Sequence, residues 1–186
     1  MRKIIIILLS LVSTTSVASN KLTIESWPEK QVCDCVSVRA YGYVVSLKNM
    51  IDNPIKDIVM FPNLGLHVIL KHKDFSFVVA LKSSLPFMKE KLKVSSWSEY
   101  HELLANKSNN KTIEQLRRTL EITEAKGYYK YENKKYTAFF VDLPNAPLGT
   151  LSEIMVIPNG KSKILKISGK FTKEDVKIIL GNLSRL

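Results

Sequence analysis

The sequence predicts an α+β domain: an antiparallel sheet built from hairpins, with two or three helices on one face, including a C-terminal helix. Three observations carry that prediction. Short β-rich runs come in pairs around polar turn residues, clearest where 153–157 and 162–168 flank Pro158-Asn159-Gly160-Lys161. Strands joined through turns this tight pair antiparallel. The last stretch then changes period, with Val176, Ile179, Leu180 and Leu183 at i, i+3, i+4 and i+7, the stripe of a buried helix face.

The elements follow in order. Residues 21–27 read as a short strand ended by Pro28, and 36–47, rich in Val and Tyr, as extended chain with a bend at Gly42. Asn53-Pro54 marks a turn, and 55–61 is a short apolar element closed by Pro62-Asn63. Residues 66–70 and 75–81 form a hairpin around 71–74. In 87–94, Lys89, Lys91 and Lys93 alternate with apolar residues, so a strand there puts three lysines on one face. Ser96 caps a helix with Trp97, Tyr100, His101 and Leu104 on one side. Thr112-Ile113-Glu114-Gln115 has the capping-box form. Ile113, Leu116 and Leu120 make an apolar stripe, Glu114 and Arg118 an i, i+4 pair, and Gly127 a C-terminal stop. Residues 128–132 and 135–142 form another hairpin around Asn133-Lys134, and Thr172 caps the final helix.

The N-terminus reads as a cleavable export signal. Arg2 and Lys3 precede an apolar run from Ile4 to Leu9, and Ser16-Val17-Ala18 offers the small residues that signal peptidase accepts. Cleavage after Ala18 divides the chain into a signal, 1–18, and one domain, 19–186. The run is about half of what a spanning helix needs, and no later segment is longer, so the chain is not expected to be transmembrane. The Lys- and Ile-rich character and the compact signal suit a bacterial periplasmic or secreted protein. In that setting the three Asn-x-Ser/Thr sequons, at 106, 110 and 182, are coincidental.

Cleavage takes the net charge from +11 to +9. Outside the cytoplasm so basic a chain has few nucleic-acid partners. Its counter-surface is an acidic partner protein or an anionic envelope surface of lipid or cell-wall polymer. Lysines spread along the whole chain also read simply as a solvated surface.

Cys33 and Cys35 are the only cysteines, and an oxidising compartment favours their pairing. Residues i and i+2 of a regular strand lie about 6.6 Å apart with parallel side chains. A bridge therefore needs a local bend, and is expected to be a structural staple or a redox-active pair. Two free thiols on a soft metal, or a bridge to a second chain, are the competing readings.

No catalytic signature emerges. There is no Gly-x-Ser-x-Gly elbow, no complete phosphate loop, and no ligand pairing among His67, His72 and His101. Ser108-Asn109-Asn110-Lys111 has Ser-x-x-Lys spacing without its companion motifs. Glu99 and Glu102 share a helix face, as carboxylates on any solvated helix do. No catalytic residue, metal or cofactor is therefore expected. Aromatic and basic residues together suit a protein interface, and Trp97, Tyr100, Tyr128, Tyr129, Lys89, Lys91 and Lys93 are its candidates. The expectation is a non-enzymatic binding module, most concretely an immunity or inhibitor protein against an acidic, envelope-acting toxin or enzyme. Binding to the envelope surface, or a small wall or lipid hydrolase, is the alternative.

Overall fold

The computed structural model describes residues 21–48, 54–61, 65–70, 76–82, 92–106, 108–143, 152–160, 164–169 and 171–186. Residues 1–18, His72, Lys89 and Lys91, with the readings made of them, lie outside the described residues. The α+β class is borne out. Strands β1 (Leu22–Ser26), β2 (Cys35–Ala40), β3 (Tyr43–Lys48), β4 (Ile55–Phe61), β5 (Gly65–Leu70) and β6 (Ser76–Lys82) come first. Helices α1 (Trp97–Ala105) and α2 (Lys111–Thr119) follow. Then come β7 (Gly127–Glu132), β8 (Tyr136–Asp142), β9 (Ser152–Pro158), β10 (Ile164–Gly169), helix α3 (Lys173–Gly181) and a short β11 (Ser184–Arg185).

Among the described residues eight strands form one sheet in the order β1-β7-β8-β9-β10-β6-β5-β4, and three form a second in the order β11-β3-β2. Every neighbouring pair is antiparallel except β1 on β7, which runs parallel. The expected hairpins form through local turn chemistry. Asn133 Oδ1 accepts from the amides of Lys135 and Tyr136 at 2.8 Å each, which closes β7 onto β8. Tyr41 and Gly42, with φ of 54° and 80°, split the long extended run into the hairpin β2–β3.

The main sheet is apolar on both faces, since Ala138, Phe139 and Phe140 on β8 and Ile154, Met155 and Val156 on β9 are all buried. Successive residues point to opposite faces, so both need cover. On one face Phe139, Met155 and Ile164 pack with Tyr100, Leu104 and Ile113 of α1 and α2. On the other, Phe140, Ile154 and Leu165 pack with Val45 and Leu47 of the small sheet and Val176, Ile179 and Leu180 of α3. The expectation of one helical face is thus corrected for the C-terminal helix, which covers the face opposite α1 and α2.

Caps set the helix ends. Thr172 and Asp175 form a full capping box at α3, and Ser96 accepts from the Glu99 amide at α1. At α2 the cap is Asn110, which accepts from the amides of Thr112 and Ile113. The helix therefore starts earlier than the capping-box pattern suggests. It also ends at Thr119, so Gly127 opens β7 rather than stopping the helix. Its buried positions are Ile113 and Arg117, while Leu120 is exposed. Glu114 pairs with Arg117 at 3.5 Å, one residue short of the expected partner. Lys93 lies in a turn with φ of 55°, between the buried Leu92 and Val94, and not in a strand.

Candidate functional site

Two of the expected interface aromatics are core residues. Tyr100 and Tyr128 are buried, Trp97 is half-buried, and all three hold α1 to the sheet. The exposed aromatic surface expected on this helix does not form, because helix stripe and strand face close on each other. Between them sits His101, stacked on Phe139 at 4.9 Å and on Trp97 at 6.0 Å, with Nδ1 2.7 Å from the Tyr128 hydroxyl. Burial, with a smaller push from Lys166, takes the imidazole pKa from 6.5 to about 3. The same burial lifts the Tyr128 phenol well above its ordinary value. Both groups are thus held in their neutral forms near neutrality, and the pair ties α1 to β7 inside the core.

The carboxylates on α1 are engaged locally. Glu99 accepts from the amide and hydroxyl of Ser95, and that backbone hydrogen bond is the main reason its pKa falls. Glu102 pairs with Lys130 at 2.9 Å. Among the described residues no group of three or more His, Cys, Asp or Glu comes together to hold a metal. Tyr129, on the opposite face of β7, is half-buried and stacks on Phe140, with Lys173 Nζ 4.3 Å from its ring centroid and Glu25 2.5 Å from that nitrogen. Lys93 is exposed, and Lys166 is paired with Glu153.

Among the described residues exposed apolar side chains occur singly at Ile24, Val32, Leu120 and Leu186, and three more cluster on one strand, 55–61, the short apolar element of the sequence. Strand β4 ends the main sheet, with β5 on one side and, among the described residues, no strand on the other. Its neighbours on β5 fix its faces: Ile58 lies opposite Val68 and Met60 opposite Leu66, both core residues of the α3 face. Yet Ile58 and Met60 are 48% and 56% exposed, because the small sheet and α3 do not extend over them. The Tyr41 hydroxyl, in the β2–β3 turn, donates to Met60 Sδ at 3.6 Å and borders the strip. On the other face Phe61, 41% exposed, packs edge-on against His67 at 4.7 Å.

Comparison with protein-family models and with curated proteins finds no match to this chain. What the site can do therefore rests on its own chemistry. An edge strand offers unpaired backbone donors and acceptors, and here it adds a row of exposed apolar side chains. One guard is built in: Asp57 Oδ1 accepts from the amide of Ile58 at 2.8 Å. A second is the register shift between Ile55 and Asp57, a bulge that ends regular pairing there. The sequence signal that marks this edge is the run Ile58-Val59-Met60-Phe61, four apolar residues where a one-sided strand alternates.

The disulfide joins Cys33 to Cys35, with their Cα atoms 5.2 Å apart, closer than the roughly 6.6 Å of a regular strand. The bend sits where the strap 27–34 leaves α3 and enters β2. The Trp27 indole N–H donates to the Leu180 carbonyl at 3.0 Å, and the Asn182 amide reaches Cys33 Sγ at 3.6 Å.

Proposed function

We propose that this protein is an exported, non-enzymatic binding module acting in a bacterial periplasm or outside the cell, most concretely an immunity or inhibitor protein against an envelope-acting toxin or enzyme. One observation carries the binding part: an edge strand with Ile58, Met60 and Phe61 uncovered, beside Tyr41. Contiguous apolar surface on an edge strand is an aggregation liability unless a partner covers it. The export part rests on the cationic, apolar and small-residue sequence of 1–18. The net charge favours an acidic partner, and no helix among the described residues is long and apolar enough to cross a membrane. The disulfide suits an oxidising compartment.

The test is in vivo cross-linking of the tagged protein in the producing cell's envelope, followed by purification in high salt. One stoichiometric protein partner is the expected result, and a toxin or hydrolase whose activity the protein blocks identifies the inhibitor role. Recovery of lipid or glycan alone, lost as salt rises, overturns the reading in favour of surface binding.

A further inference from the structure

We infer that the partner docks by strand addition: an extended, acidic segment of about five residues pairs with β4 over Asp57–Phe61. The inference rests on the protein-binding reading and names the mode and the chemistry of its partner. Three features of the edge support it. First, the outward backbone is in hydrogen-bonding order. The amide of Ile58 donates to the Asp57 carboxylate, which marks it as a donor on the open side, and in an antiparallel ladder the amide two residues on, at Met60, faces the same side. An incoming carbonyl therefore meets two donors, one of them held by a side chain that it can displace.

Second, the side chains on either face of the new strand already have neighbours. Ile58 and Met60 lie on the α3 side with Tyr41 beside them, and Phe61 lies on the other side against His67. An added strand places its alternate residues against these two apolar strips, the arrangement by which strand addition reads sequence. The bulge between Ile55 and Asp57 sets one end of the window.

Third, charge selects the occupant. A second copy would bring another strongly basic chain against a mature protein of net charge +9. One five-residue strand is about 17 Å long and covers on the order of a few hundred Å² a side, short of the roughly 800 Å² per partner of a stable pair. An acidic segment is instead drawn to Lys56 and Arg39, both exposed, the latter two residues along β2 from Tyr41. Asp57 is the one carboxylate on this edge strand, and it is occupied by the Ile58 amide.

The test uses the mature protein, 19–186, and a displayed library of random dodecapeptides. Enriched peptides should carry acidic residues among alternating apolar ones, and should slow amide exchange at 58 and 60. Met60→Lys, at an exposed position that leaves the melting temperature unchanged, should weaken the best peptide at least tenfold. Asp57→Ala, which frees the Ile58 amide and removes the repelling charge, should tighten it about threefold or more, while Asp57→Asn, which keeps an acceptor, should tighten it less. Peptides that are basic or charge-neutral, binding indifferent to both positions, no enrichment, or a dimer forming through this edge as protein concentration rises each overturns strand addition by an acidic segment. A partner captured by cross-linking that protects a different surface overturns it too, while leaving the binding-module reading standing.

Discussion

His101 and Tyr128 share a 2.7 Å hydrogen bond in the core, with the imidazole stacked between Phe139 and Trp97. Twenty-seven residues separate them in the chain, so the bond ties α1 to β7. Since the folded imidazole titrates near 3 and the unfolded one near 6.5, the unfolded chain binds the extra proton first as pH falls. The stability gained from a neutral, buried ring is complete above about pH 6.5 and drains away from there toward pH 3. Between pH 7 and pH 5 this single group should cost about 2 kcal/mol. Urea unfolding at the two pH values measures the loss. His101→Phe is the control: it strands the Tyr128 hydroxyl and costs about 1–2 kcal/mol at pH 7, yet it should remove that share of the pH dependence. An unchanged pH dependence in the variant would show that the ring is already free to protonate.

How much of this was legible in the sequence depends on the range of the interaction. The hairpins and the α1 and α3 caps are local, written in Asn133, Ser96 and the Thr172–Asp175 box. The buried face of α3 follows from spacing alone. The pairings β10 with β6 and β1 with β7 join strands far apart in the chain, and no turn residue announces them. The same limit explains the candidate site. Tyr100 and Tyr128 look like surface aromatics until helix and sheet meet, and Ile58 and Met60 look like core until the covering layer stops short of them. Composition identifies side chains that want partners; the layer arrangement decides which of them get one inside the fold.

Arg117 is the clearest case of a core residue that its chemistry conceals. Its side chain is almost wholly buried, with the guanidinium donating to the Leu104 carbonyl at the end of α1 and lying 3.5 Å from Glu114. It thus caps one helix from another. Arg117→Ala leaves that carbonyl unpaired and Glu114 without its cation, and should cost about 3 kcal/mol or more. Arg117→Lys should not restore it, because one compact ammonium cannot both donate to the Leu104 carbonyl and keep positive charge beside Glu114. Denaturant midpoints of the two variants measure this; full stability in the lysine variant would reduce the role to a simple charge.

The Cys33–Cys35 bridge closes a very short loop, so little chain entropy is at stake. The intact protein should weigh two hydrogens less than its dithiol form, and the double variant Cys33→Ser, Cys35→Ser should lose about 1–2 kcal/mol. The loss should appear first as faster amide exchange in the strap 27–34 and stay confined there, since the Asn182 contact to Cys33 Sγ goes with the bridge while the Trp27 indole still holds the head of the strap to α3. Exchange that rises across the whole sheet instead would mean that the bridge supports the core and not the strap alone.

Gly181 gives a prediction whose sign is the test. It ends α3, where helix propensity alone favours alanine over glycine by about 1 kcal/mol. A Cβ built at this position, however, runs into the carbonyl oxygen of Glu29 in the strap. That oxygen is backbone, and the strap is pinned close by, where the Trp27 indole bonds to the Leu180 carbonyl. The oxygen therefore has little room to retreat, and it already accepts the Gln31 side-chain amide at 2.9 Å. Gly181→Ala should thus destabilise the protein by about 1–3 kcal/mol despite the better helix former. Trp27→Phe, which removes the indole bond and loosens the strap, should shrink that penalty in the double variant. Thermal and denaturant unfolding of the two single variants and the double variant completes the cycle. A stabilised Gly181→Ala would mean that the strap does not rest on the end of the helix.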